Sequence, residues 1–390
     1  MERIKEMFHK IFGKIDPVLF VCSTLLSLIG IVTVYGAMRS FTASELVMQI
    51  AMFLLGSVVA IAIAHVDFRV IVDKLWLYML IGSVALLLIT LVFGSTGANM
   101  ETANKSWLKI PFTGLMIQPS EFIKFTFICT FARHLFLVRD HINKPLTVLL
   151  LGAHAVLIIA PILLSGDLGV ALVYLVIVLI MLFCAGLHPL YFLALALLLV
   201  AFAPFLWEHL AEYQRQRILV GFNPELDPLG KGMQSLLSRQ AIASGGLFGA
   251  GIMGGSHYET VYAYLTDFIF ATICEKLGFL GGALVLIIFM VMVVRVFMIA
   301  RTASHSDYGG LICVGIGAML IVQILLNVGM CYAMLPVIGI TLPFLSCGGS
   351  SMLATFMMFG LLHSVYAHSN AVRDFEKIDT FDIDISLLDS

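Results

Sequence analysis

Charge is what this sequence has least of. Asp, Glu, Lys and Arg make up 12% of its 390 residues while 61% are hydrophobic, against roughly 25% charged in an ordinary soluble domain. A soluble fold of this length needs far more charge to cover its surface, so that class is excluded. Lys and Arg number 22 against 24 Asp and Glu, a formal charge of −2, and no global basic field points to nucleic acid. The seven cysteines (Cys22, Cys129, Cys184, Cys274, Cys313, Cys331, Cys347) include no C-x-x-C pair and do not cluster in loops, which suggests neither a zinc site nor a disulfide framework. The eleven histidines show no H-E-x-x-H spacing, and no G-x-S-x-G elbow is present. His154 and His363 read as hydrogen-bonded core residues within apolar runs.

Long hydrophobic runs are what the chain has instead. At about 20 apolar residues per crossing, runs near 17–38, 46–64, 75–94, 119–138, 146–164, 168–186, 189–206, 267–300, 309–331 and 343–366 predict an all-α polytopic membrane protein of about ten transmembrane helices. The first run is longer than the apolar region of a cleaved signal and reads as a retained span. An even number of spans puts both termini on one side. Arg3, Lys5, Lys10, Lys14, Arg69, Lys74, Arg139, Lys144, Arg295, Arg301, Arg373 and Lys377 would flank the membrane on that side, so the segments 1–16 and 368–390 are expected in the cytoplasm. The boundary at Ser165-Gly166-Asp167 matters most, because losing it would invert every later span. Two less apolar segments then face outward, 95–118 and the large loop 207–266 between spans 7 and 8. The outward cations Lys105, Lys109, Arg215, Arg217, Lys231 and Arg239 fit either an anionic ligand or a solvated face balanced by Glu208, Glu212, Glu225 and Asp227.

Ionisable groups at the ends of apolar runs are costly and serve as functional candidates. In Gln118-Pro119-Ser120-Glu121-Phe122-Ile123-Lys124 the Pro and Ser suit a helix start. Glu121 and Lys124, three apart, can share a face and partly neutralise each other. In Thr266-Asp267-Phe268 a carboxylate stands at the outer start of an apolar helix. The helix dipole favours it there in any protein, and a desolvated setting would tune it as a general base. Glu275 and the adjacent Lys276 read as a structural ion pair. The run 335–351, with two prolines, three glycines and three serines outside its apolar residues, signals a broken backbone that membranes allow only inside protein or along a wet cavity. Its free N–H groups could bind phosphate, or its small residues could serve close helix packing. The Gly-rich run 244–255 is similar in kind; with no strand before it and no Lys-Ser/Thr after it, it is neither a dinucleotide fingerprint nor a P-loop.

In order along the chain, Lys105-Ser106-Trp107-Leu108, Gln118-Pro119-Ser120-Glu121 with Lys124, Gly166-Asp167-Leu168-Gly169, Arg217-Ile218, Asn223-Pro224-Glu225-Leu226-Asp227-Pro228-Leu229-Gly230, Ser244-Gly245-Gly246, Thr266-Asp267-Phe268-Ile269-Phe270, Asn327-Val328-Gly329-Met330 and the run ending at Ser351 resemble the SEDS family of shape, elongation, division and sporulation proteins (RodA, FtsW, SpoVE). The resemblance implies a ten-span glycosyltransferase of the bacterial inner membrane. Its members polymerise lipid II, the undecaprenyl-pyrophosphate-linked disaccharide-pentapeptide, beside a class B penicillin-binding protein. It implies that Asp267 is the essential carboxylate and Lys124 its cationic neighbour. Trp107, Ser120, Glu121, Arg215, Arg217, Lys231, Ser244, Gly245, Gly246, Asn327, Pro343, Ser346, Gly348 and Gly349 would then line the substrate. A divalent cation, Mg or Mn, would accompany the pyrophosphate without an assigned protein ligand set, and an apolar groove would hold the polyprenyl tails.

The chain departs from the family pattern just before Asp267, where Val261-Tyr262-Ala263-Tyr264-Leu265 stands in place of Leu-Pro-Glu-x-His. Glu259 and Tyr264 are the candidates to replace the missing side chains. Ser165-Gly166 replaces a Gln-Pro, and Leu237-Ser238 a Gln-Ser. A lipid II transporter and a catalytically silent scaffold for a penicillin-binding protein are the rival expectations.

Overall fold

The fold is that of a computed structural model, which describes residues 13–37, 43–96, 104–110, 116–209, 212–303 and 308–368, apart from the side chains of Leu206, Tyr213, Gln214 and Arg217. The segments 1–12 and 369–390, most of the expected cytoplasmic ends, lie outside the described residues. Ten helices of 17 residues or more occupy the positions of the ten apolar runs: α1 Pro17–Gly36, α2 Ala43–Ala64, α3 Phe68–Phe93, α4 Pro119–Leu137, α5 Pro145–Leu164, α6 Leu168–Cys184, α7 Pro189–His209, and, after two shorter helices α8 Glu212–Phe222 and α9 Met233–Ser244, α10 Ile269–Ala303, α11 Gly309–Cys331 and α12 Gly349–His368. Seven of these are long and apolar enough to cross a membrane, and the protein is a multi-pass membrane protein. None of the seven cysteines is in a disulfide.

The helix ends follow local chemistry. Asp16, Asp67 and Asp167 accept hydrogen bonds from the backbone N–H groups of Leu19, Arg69 and Val170 and so start α1, α3 and α6. The Asp67 cap starts α3 seven residues earlier than the apolar run suggests. Gly166, at φ +86°, makes the break between α5 and α6 that the sequence leaves narrow. The last helix starts at Gly349 rather than at 343, because residues 332–348 leave the helix altogether, with Ala333, Gly339 and Phe344 at positive φ. The long loop is largely built: α8, α9 and two 3-10 turns occupy it.

Small residues set the packing. An α2–α12 pair is formed where Gly56 lies against the Phe356 ring and Gly360 against the Ala60 backbone. Gly315 admits Ile128 of α4 and Met181 of α6 to the surface of α11, which is largely buried. None of the described side chains of α7 is buried.

The two ends of the bundle are chemically different. At one end the buried Asp16 carboxylate binds the Arg295 guanidinium at 2.6 and 2.9 Å, its N–H donates to His363 Nδ1, and Lys14 Nζ meets His368 Nε2 at 3.3 Å. Both described chain ends therefore lie at this end. The other end carries the short hairpin β1 Leu108–Lys109 and β2 Met116–Ile117, the 165–167 turn, helices α8 and α9, Asp267, and the 332–348 run.

Candidate active site

Asp267 lies just ahead of α10, not in its first turn, and its backbone is fixed from three directions. Asn327 Nδ2 on α11 donates to the Asp267 carbonyl at 2.8 Å and to the Ile340 carbonyl at 2.7 Å. Ser346 Oγ donates to the Thr266 carbonyl at 2.7 Å while accepting from Leu342 N–H, and Cys347 N–H donates to the Leu265 carbonyl at 2.8 Å. The broken run 335–351 is thus the brace that holds the aspartate. Gly339, exposed and at φ +69°, sits over the carboxylate: a Cβ there would lie 3.5 Å from Oδ2.

The Asp267 side chain is half-buried. Burial raises its pKa from 3.8 to about 6, the Asp167 carboxylate adds to the rise, and the Thr266 hydroxyl opposes it. Asp167 is itself raised, first by burial and then by Glu121, against hydrogen bonds from Val170 N–H, Ser106 and Gln118. Gln118 Nε2 donates to Asp167 Oδ2 at 3.1 Å. Glu121 in turn binds Lys124, both oxygens at 2.8 Å from Nζ, with both side chains buried. Asp267, Asp167, Glu121 and Lys124 therefore form a row of electrostatic neighbours, three carboxylates with one cation at its far end. The expected pairing of Glu121 with Lys124 is present, and it engages the lysine on Glu121.

Other candidates frame this row. Ser120 gives its carbonyl to the Tyr174 hydroxyl, and its own hydroxyl is buried without a hydrogen bond among the described residues. Trp107 is half-buried and pairs by its backbone with Ser95. The neighbouring Lys105 N–H donates to the Ser165 carbonyl, which ties that strand to the Asp167 turn. Pro343 is buried inside the brace, Gly348 and Gly349 lead from it into α12, and Ser350 Oγ accepts from Gln118 N–H.

Ser244, Gly245 and Gly246 lie elsewhere. Gly278, at φ +70°, breaks α10, and the run from 244 repairs the break: Phe279 and Leu280 N–H donate to the carbonyls of Gly246 and Leu247, while Ala250 and Gly251 N–H donate to those of Glu275 and Lys276. Gly245 packs on the Cys274 carbonyl, about 10 Å along the helix from Asp267 at 1.5 Å per residue. The N–H groups of Ala250 and Gly251 are thus committed to α10, as are those of Leu342 and Cys347 to the brace. Arg215 donates to the Glu208 carbonyl, and Lys231 is exposed in a turn closed by Asp227. The Arg217 side chain lies outside the described residues. Helix α8, which carries Arg215 and Arg217, reaches the brace at Gly221, which packs on Pro336.

Three positions that shape the site escape a search for site residues in the sequence. Asp167 could have been found by the signal that found Asp267, a carboxylate at the start of an apolar helix, and Gln118 follows from it. Glu275 corrects the expected ion pair: its carboxylate accepts from the N–H groups of Ser256, His257 and Tyr258 at 2.9, 2.9 and 2.6 Å. Lys276 donates to the carbonyls of Gly36, Ile252 and Gly254 and lies 4.1 Å from the Tyr258 ring centroid. Together they anchor the segment that leads into Asp267. There Ala263 takes φ +57°, Tyr264 is buried against the Tyr258 ring, and Glu259 is exposed with the Tyr258 hydroxyl on it.

A helical membrane bundle with a braced, half-buried carboxylate at one end is the class of protein that fold and site define. The family model described as Cell cycle protein, covering FtsW, RodA and SpoVE, matches residues 16–371, and the chain belongs to that family. It is 32% identical over 372 residues to stage V sporulation protein E of Bacillus subtilis, covering 91% of this chain and 97% of the relative. It is 32% identical over 357 residues to the peptidoglycan glycosyltransferase MrdB of Escherichia coli K12, covering 88% and 93%. A chain in a solved peptidoglycan synthase complex that coordinates polymerisation and crosslinking superposes with a TM-score of 0.78 at 26% identity, covering 90% of this chain and 97% of that one.

Proposed function

We propose that this protein is a peptidoglycan glycosyltransferase that polymerises lipid II, with Asp267 as its general base. The observation that carries the reading is the state of Asp267: a carboxyl lifted to about 6 is charged at neutral pH yet basic enough to take a proton in the transition state. Its main-chain clamp holds it in one position, as a general base must be held. The base removes the proton of the acceptor sugar hydroxyl while that oxygen bonds the anomeric carbon of the donor. The bond from that carbon to undecaprenyl pyrophosphate breaks, and the pyrophosphate leaves with the electron pair. Lys124 acts on Asp267 through the carboxylate row by binding both oxygens of Glu121 and fixing its position.

Arg215, Arg217 and Lys231 are assigned to the departing pyrophosphate. A cavity of about 470 Å³ lined by Ile242, Phe270, Phe279, Leu286 and Tyr332 offers the polyprenyl chain an apolar bed beside the α10 break. Among the described residues no group of three or more His, Cys, Asp or Glu is arranged to hold a metal. A divalent cation is assigned to the pyrophosphate as part of the substrate, where phosphate oxygens and water supply most of its ligands.

The topology we infer has ten spans in the bacterial inner membrane, both termini in the cytoplasm, 207–266 outside and a class B penicillin-binding protein as partner. Lipid II polymerisation by the purified chain with its cognate transpeptidase tests the reading. Glycan chains from wild type and none from Asp267→Asn support it. Full activity of Asp267→Asn refutes the base, and no polymer from wild type in an intact complex refutes the enzyme.

A further inference from the structure

At the end of the bundle remote from Asp267 a second cavity of about 390 Å³ opens between α4, α6, α10 and α11. Its walls include Leu135, Cys184, Phe297 and Leu311, and Arg139 and Arg301 stand among its lining residues. Among the described residues no carboxylate lines it. Both arginines are exposed; the Arg139 guanidinium lies 4.6 Å from the Phe136 ring centroid and 3.9 Å from Asp140. Arg139 follows the last turn of α4 and Arg301 belongs to the last turn of α10, the level at which a helix end meets lipid headgroups.

The pairing of wall and rim selects the ligand. A small soluble anion gains nothing from four apolar helix faces, and a bare hydrocarbon chain gains nothing from two guanidinium groups. An anionic glycerophospholipid carries both parts. We propose that this cavity binds one such lipid, phosphatidylglycerol in type, with its phosphate between Arg139 and Arg301 and an acyl chain along Leu135, Phe297 and Leu311.

Full-length protein in nanodiscs of equal phosphatidylglycerol and phosphatidylcholine, released and weighed by native mass spectrometry, tests the proposal. Wild type is expected to keep one phosphatidylglycerol per chain. R139Q/R301Q should bind it at least tenfold more weakly, since each cation near the headgroup contributes roughly fivefold, and R139K/R301K should keep most of the binding. Leu311→Trp, which fills the wall and leaves both arginines, should also lose the lipid, so that loss of charge and loss of space are read separately. Equal retention by R139Q/R301Q, or equal retention of phosphatidylcholine by wild type, overturns the proposal. So does displacement of the lipid by inorganic phosphate, which would make the site a reader of phosphate alone.

Discussion

Replacing Asp267 with Asn should make the protein more stable and inactive at once. The carboxyl is held at about 6 in the folded chain against an ordinary 3.8, so above pH 6 folding confines a charge that the unfolded chain hydrates freely. That difference costs about 3 kcal/mol at neutral pH. The sign follows from proton binding: a carboxyl raised by folding leaves stability intact below pH 4, removes it between pH 4 and 6, and holds the full cost above. An Asn of the same shape never acquires the charge. Thermal melts in detergent at pH 4.5 and 7.5, run beside the polymerisation assay, should find Asp267→Asn melting a few degrees above wild type at pH 7.5 and close to it at pH 4.5. A variant that melts at or below wild type at pH 7.5, or a difference that ignores pH, would refute the desolvation argument; retained polymerisation would refute the base.

Four further outcomes follow. The wild-type polymerisation rate at low substrate should rise with pH and reach half its plateau near 6, because the base must be ionised; a flat profile from pH 5 to 8 would exclude Asp267 from proton transfer. Lys124→Met should lower stability by about 3–5 kcal/mol, since it breaks a buried ion pair and leaves Glu121 without its partner, and adding Glu121→Gln should restore part of it in the same melt. Glu275→Gln removes the charge that gathers three N–H groups, at a cost of about 2–4 kcal/mol, and hydrogen exchange should accelerate across 256–264. Gly339→Ala places a Cβ 3.5 Å from Oδ2 and forces an L-residue into φ +69°, a strain of about 1–2 kcal/mol. The polymerisation rate should fall more than the melting temperature accounts for.

The helices were legible because hydropathy and caps act locally: each apolar run became a helix with its start within seven residues of the expected one, and the narrowest boundary, at Gly166, holds because a glycine and an Asp cap meet there. The Glu121–Lys124 pair was legible for the same reason, being one turn apart. Long-range use of polar groups was not. Nothing in the 244–255 run says that its N–H groups will replace helix bonds lost at Gly278, and both a phosphate cradle and a splint need the same glycines. Glu275 beside Lys276 reads as a pair in one dimension, yet adjacent helix positions point about 100° apart. The glutamate finds the 256–258 backbone, and the lysine three carbonyls. Arg215 and Lys231 were chosen by charge alone, and charge gives no distance.

The interior between the two ends bears on transport as a rival function. A path that carries a pyrophosphate-linked sugar across a membrane needs donors and acceptors along its length. Between the Asp267 and Arg295 ends the core is filled by Phe127 and Phe131 of α4, Ile177 and Met181 of α6, Phe289 and Met292 of α10, and Met319 and Leu320 of α11, all buried. Polar groups there include a set that turns inward on itself: His154 Nε2 meets Thr130 Oγ1 at 3.3 Å and its Nδ1 meets His134 Nδ1 at 3.1 Å. Asp267, Asp167, Glu121 and Lys124 are gathered at one end instead, against a backbone that has left the helix. That arrangement supplies chemistry at a surface. The apolar cavity beside α10, with Tyr332 at the end of α11 on its wall, belongs to the α10 break rather than to a path through the bundle.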